Sequence, residues 1–250
     1  GEEVLHGDIV DTNAAWLSQR FFEYGFSVTK RSTVGDSLSA LVEELMILSF
    51  NSDIVVVNGG LGPTSDDMST EAAARVAELP LVLYPSWLER LENFFSSRGL
   101  VMPESNRKQA MLPEGSQLLD NPIGTACGFK LTINDCDFYF TPGVPSEFKV
   151  MAEQLLPVIK QKLSMSHSLS RKRYLTFGLS ESWLSDRLDP LLWPKGVILG
   201  YRSSMPTIEI KLVSSSDTGQ LAEAEQLLLP HIKESIIAEG GQSQAQAVVE

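Results

Sequence analysis

The run Asp53-Ile54-Val55-Val56-Val57-Asn58 leads directly into Gly59-Gly60-Leu61-Gly62-Pro63-Thr64, and this junction constrains the fold most tightly. An unbroken apolar run of this length is typical of a parallel strand covered on both faces. Helical spacing resumes over residues 69–78. The glycine-rich turn therefore leaves the carboxyl end of a strand and opens a helix, where open α/β sheets hold their ligands.

The flanking pattern supports that reading. Trp16, Leu17, Phe21 and Tyr24 fall at helical spacing over residues 12–25, with Gly25 as the stop. Phe26-Ser27-Val28-Thr29 reads as a short strand. Leu38, Leu41, Val42, Leu45 and Leu48 mark one face of a helix over 37–49. Strand, crossover helix, strand, glycine loop and helix predict a three-layer α/β/α sheet domain. Further helices are expected near 86–98 and 104–110. A strand pair follows around 128–140, then the turn Thr141-Pro142-Gly143-Val144-Pro145 and a helix over 146–163.

A serine-rich joint at 164–170 separates this domain, 1–164, from a second one at 170–238. There a strand (172–178), a helix (180–192), two strands (196–202, 206–213) and a helix (218–234) give a small α+β unit. Its β-α-β-β-α order is KH-like. Residues 239–250 read as a flexible tail.

Charge narrows the functional classes. The chain of 250 residues carries a formal net charge of −12, which disfavours binding to a phosphate backbone. Residues 1–71 hold 12 acids against 3 bases, a balance of −9, so the excess is concentrated in the first third. It reads either as a solvated acidic face or as carboxylates that hold a cation. Cys127 and Cys136 cannot form a disulfide framework, which suggests a reducing compartment. No apolar run reaches the roughly 18–20 residues needed to span a bilayer, and Gly1-Glu2-Glu3 lacks the basic start of a signal peptide. The expectation is a cytoplasmic protein that binds neither membrane nor nucleic acid.

Within the loop, glycines let backbone N–H groups approach an anion, and the helix start adds a positive dipole end. Asp66 and Asp67 follow as adjacent carboxylates. Amides beside paired acids suit a metal–diphosphate complex. The competing reading is a plain tight turn with the aspartates capping the helix. A second polar stretch, Gly1 to Asn13, offers Glu2, Glu3, Asp11, Thr12 and Asn13; one of the last three would cap the following helix. Asp36 reads as the N-cap of the 37–49 helix or as a third acid in the same crevice. His6, His167 and His231 have no zinc-ligand spacing, and Cys127 reads as a buried structural thiol.

Six motifs, in order, resemble CinA-like (competence/damage-inducible) proteins. They are Gly1-Glu2-Glu3-Val4-Leu5-His6-Gly7, Asp11-Thr12-Asn13, Val34-Gly35-Asp36, Gly59 to Asp67, Asn121-Pro122-Ile123-Gly124-Thr125-Ala126 and Pro142-Gly143-Val144-Pro145. The resemblance covers about 1–165 and implies a molybdopterin-binding, MoaB/Mog-like fold, dimeric or trimeric. It further implies a pyrophosphatase that uses a divalent metal (Mg, Mn or Co) and hydrolyses ADP-ribose to AMP and ribose 5-phosphate. Asp67, Asp66 and Asp36 are carried over as catalytic and metal residues. Gly59, Gly60, Leu61, Gly62, Thr64 and Ser69 are carried over to the phosphates. Glu3, Asp11, Thr12, Asn13, Asn121, Gly124, Thr125, Gly143 and Pro145 are carried over as pocket lining. The family pattern has a strand ahead of Gly1, so upstream residues are expected. Many CinA proteins also carry a C-terminal domain that deamidates nicotinamide mononucleotide, and 165–250 is too short for it. Molybdopterin binding is the alternative use of the same pocket. A non-catalytic, RNA-binding second domain is disfavoured by its balance of −2 over 165–250 and by the lack of a Gly-x-x-Gly clamp.

Overall fold

The computed structural model describes residues 1–163, 170–214 and 218–240. Most of the expected joint at 164–170, and the tail from 241 on, lie outside these residues. Two compact units emerge: Gly1–Gln19 with Val28–Ile159, and Arg20–Ser27 with the residues from Lys160 on.

The first unit opens with a single helical turn, α1 (Glu2–Leu5), followed by α2 (Thr12–Tyr24), whose residues from Arg20 on belong to the second unit. Asp11 caps α2, its Oδ1 accepting the Ala14 N–H at 2.8 Å. Trp16 on α2 meets Phe148 edge-on, with centroids 5.8 Å apart. Residues 26–29, expected as a strand, form none. Phe26 instead turns back onto the Phe21 ring at 5.4 Å and stacks on Tyr24. Its apolar character fastens the helix end instead of pairing a strand.

Helix α3 (Leu38–Asn51) leads into β1 (Ile54–Asn58), which holds the glycine loop. The loop enters α4 (Ser69–Val76). The hairpin-like pair β2 (Leu81–Leu83) and β3 (Met111–Pro113) brackets α5 (Pro85–Ser96) and a 3₁₀ helix at Glu104–Ala110. Then come β4 (Gln117–Leu119), β5 (Gly128–Ile133), β6 (Cys136–Thr141) and α6 (Pro145–Lys162). The main sheet runs β1-β6-β5-β4. Only β1–β6 is parallel, with Ile54 opposite Asp137 and Asn58 opposite Thr141; β6–β5 and β5–β4 are antiparallel. Among the described residues β1 is thus an edge strand, and the sheet's most buried strand is the aromatic β6. Phe138 and Phe140 are fully buried, and Phe140 stacks on Phe129 at 4.3 Å. Leu38, Leu41, Val42 and Leu48 of α3 pack on this core together with residues of α4 and α5.

The second unit contains β7 (Ser170–Phe177), α7 (Glu181–Leu188), β8 (Val197–Ser204), β9 (Thr207–Ser214), α8 (Thr218–Ile232) and β10 (Ile236–Glu239). Its antiparallel sheet runs β10-β7-β9-β8. Alternation in β7 and β9 turns Tyr174, Ile208, Ile210 and Leu212 toward Leu184, Leu188, Ala224 and Leu228 of the helices. Strand β10 extends the expected β-α-β-β-α order by one element. No helix among the described residues is long and apolar enough to cross a membrane.

Candidate active site

The parallel register brings Asn58 and Thr141 side by side at the carboxyl ends of β1 and β6. Their loops are sewn together there. The Gly59 N–H donates to Thr141 O at 2.9 Å, and Asn58 Nδ2 donates to Pro142 O at 2.6 Å. Asn13, 6% exposed, donates Nδ2 to Asn58 Oδ1 at 3.0 Å and to Gly143 O at 2.8 Å. The Asp11-Thr12-Asn13, Asn58-Gly59 and Pro142-Gly143 motifs therefore meet at one joint. A Cβ on Gly143 would stand 3.4 Å from Gly59 Cα, so the two turns touch backbone to backbone.

Gly59 and Gly60 have φ of +100° and +72°, a region that favours glycine. Ser69, almost fully buried, staples the turn: its Oγ donates to Gly59 O at 2.8 Å and its N–H to Gly60 O at 3.1 Å. Leu61 sinks into the core. Among the described residues, the N–H groups of Gly60, Leu61 and Gly62 have no backbone acceptor. Met68, at the N-cap of α4, provides no side-chain cap either. The loop thus presents backbone donors at a helix start.

Asp67 folds back over this loop. Its Oδ2 accepts the Thr64 N–H at 2.9 Å and the Thr64 hydroxyl at 2.6 Å. A Cβ on Gly62 would lie 2.4 Å from that oxygen, so Gly62 is what lets the carboxylate rest against the loop. Asp66 is exposed. Thr64 beside it and its own backbone N–H hold its carboxyl below the usual aspartate value, with help from the Lys108 ammonium. Lys108 Nζ donates to Thr64 O and, at 2.8 Å, to Asp67 O.

The Asn121–Thr125 turn is held by hydrogen bonds to α5 and α6. Asn121 is fully buried. It donates to Ala126 O and Glu147 Oε2 and accepts the Gly124 N–H at 3.1 Å. A Cβ on Gly124 would collide with the Glu147 carboxylate at 2.0 Å. Thr125 O accepts the Trp87 indole N–H at 3.3 Å. Pro145 is the first residue of α6.

Residues 1–161 match the family described as a probable molybdopterin binding domain. The chain belongs to that family. Its fold is the family's MoaB/Mog-like α/β fold, followed by a further β/α region. A CinA-like protein of Escherichia coli O9:H4 (strain HS) is 50% identical over 242 residues, 96% of this chain and 60% of the relative. An NMN amidohydrolase-like protein, YfaY, of Escherichia coli (strain K12) matches to the same extent. The chain thus spans 60% of the length of these relatives. The crystal structure of CinA from Thermoplasma acidophilum, a protein of unknown function, superposes with a TM-score of 0.59 at 29% identity. That match covers 64% of this chain and 94% of that one. The CinA-like resemblance of the sequence motifs is borne out.

In this molybdopterin-binding-type domain the remaining expected residues make other contacts. Glu2 Oε1 accepts the Asp36 N–H at 3.0 Å, tying α1 to the turn before α3, and Glu3 is exposed nearby on α1. Among the described residues no three His, Cys, Asp or Glu gather into a metal-holding group, so Asp36, Asp66 and Asp67 do not form a three-carboxylate cage. Thr12 is exposed at the start of α2. Cys127 is buried, and burial pushes its thiol far above the ordinary value. Two contributors went unread in the sequence: Lys108 and Glu147. Each acts on residues distant in the chain, and only the fold brings them there.

Proposed function

We propose that the chain hydrolyses the diphosphate of ADP-ribose to AMP and ribose 5-phosphate, with a divalent cation. One observation carries this reading: the Asp67 carboxylate rests against Gly62, in the loop where the Gly60, Leu61 and Gly62 N–H groups lack backbone acceptors. A diphosphate on those amides would face a carboxylate at close range. Two anions so placed repel unless a cation lies between them.

The donor set fits a cation that arrives with its diphosphate, since Mg²⁺ commonly takes one or two protein carboxylates plus phosphate oxygens and water. Asp67 would hold it through the oxygen that Thr64 leaves free, with Thr64 fixing the carboxylate's orientation. When bound, the cation neutralises charge on the phosphate oxygens. The amides of Gly60, Leu61 and Gly62 bind the remaining oxygens, and the α4 dipole adds to them. Asp66 is exposed, so it is the carboxylate available to take a proton from the attacking water. The P–O bond to the leaving phosphate breaks as the new P–O bond forms.

The test is AMP release from ADP-ribose with Mg²⁺, Mn²⁺ or Co²⁺. No AMP with any of the three, from folded protein, overturns the proposal. The family match favours a second reading, in which the same pocket binds molybdopterin. Tight pterin binding without AMP release would establish it instead.

A further inference from the structure

The 3₁₀ helix Glu104–Ala110 sends two side chains to the glycine loop, across more than forty residues of sequence. Gln109, 5% exposed, donates Nε2 to Leu61 O at 3.2 Å, and Asn106 Nδ2 orients it at 2.9 Å. Lys108 donates to the carbonyls of Thr64 and Asp67. Those carbonyls are partial negative charges beside the place where an anion would sit. The ammonium covers both. It has three N–H donors, of which these two contacts engage two. The N-cap residue Met68 brings no side-chain cap to the same helix start.

We propose that Lys108 both binds and positions: it closes the Thr64–Asp67 turn through two carbonyls and gives its third N–H to a phosphate oxygen of the ligand. The inference rests on the pyrophosphatase reading only in naming that ligand a diphosphate. A P-loop lysine works in a related way as a point charge on phosphate, but here the lysine comes from a separate element and also holds the loop.

The experiment measures binding of inorganic pyrophosphate to the full chain by calorimetry in Mg²⁺, together with the melting temperature. Lys108→Met should weaken binding about ten- to a hundredfold, the loss of a charged hydrogen bond. It should also flatten the salt dependence of binding, which a purely structural lysine would leave unchanged. Lys108→Arg keeps the charge but not the ammonium geometry, so it should lose less affinity than Lys108→Met. Lys108→Gln can still donate to both carbonyls without charge, so it should fall between them; it replaces the methionine variant if that one fails to fold. Wild-type affinity in Lys108→Met, equal loss in the arginine and methionine variants, or no pyrophosphate binding by wild type each overturns the proposal. Pyrophosphate binding that depends on Lys108, with no AMP formed from ADP-ribose, overturns the pyrophosphatase reading alone.

Discussion

Replacing Gly60 with alanine tests whether the glycine loop is built as described. Gly60 sits at φ +72°, and its added Cβ would lie 2.3 Å from Ser69 Oγ, 3.0 Å from Ser69 Cβ and 3.1 Å from Ser69 N. The left-handed backbone costs a non-glycine residue about 1–2 kcal/mol. The clash also displaces the Ser69 hydroxyl from Gly59 O, a bond of 2.8 Å that contributes about 1 kcal/mol. The expected loss is about 2–3 kcal/mol, or roughly 5–10 °C in melting temperature for a unit of this size. Calorimetry of wild type, Gly60→Ala, Ser69→Ala and the double variant closes the cycle. With the Oγ gone, the worst contact disappears, so the double variant should be more stable than the sum of the singles predicts. The 3.0 Å and 3.1 Å contacts survive, so the rescue should be partial. Additive losses would refute the contact between Gly60 and Ser69, and an unchanged melting temperature in Gly60→Ala would refute the loop conformation.

Asp67→Asn keeps an oxygen that can accept from Thr64 but removes the charge. AMP release should fall by about a hundredfold or more while the melting temperature stays within a few degrees; near-wild-type turnover would show that Asp67 only shapes the turn. Asn121→Ala strands the Ala126 carbonyl and the Gly124 N–H, both served by the buried amide. It should lower stability by about 2–4 kcal/mol, read by urea titration, and an effect confined to substrate affinity would contradict its burial. In the second unit, burial raises the Glu225 carboxyl, but the Lys172 ammonium and Tyr174 hydroxyl outweigh it and lower its pKa. The stability it contributes is therefore present above the ordinary glutamate pKa and lost as pH falls through the lower folded value. Glu225→Gln should flatten that acid limb of the unit's melting profile, and an unaltered profile would rule the pairing out.

Long periodic elements were legible from the sequence because side-chain spacing encodes them locally. The helices over 12–24, 38–51 and 145–162 and the strands on either side of Asn134-Asp135 fall close to expectation. Three-residue strands such as Leu81–Leu83 and Met111–Pro113 carry no period and exist only because each pairs with the other. Phe26 misled because a short segment of aromatic and β-branched residues looks the same whether it pairs a strand or plugs a helix end. At the site, the glycine turn and its two aspartates were readable. Unreadable from spacing was the division of labour by burial: Asn121 facing inward, Asp67 folded onto Gly62, and Lys108 arriving from another element.

The joint at the ends of β1 and β6 also bears on how the chain folds. Its bonds link residues 45, 84 and 130 positions apart. Closing loops that long is entropically slow, and parallel pairing gains nothing until it is done. The hairpin of β5 and β6 turns at Asn134-Asp135 and can form early; Asn13, Asn58 and Gly143 meet only once β1 docks beside it. A partly folded chain therefore lacks the complete site. Ligand would then stabilise only the finished domain, slowing its unfolding without hastening its assembly.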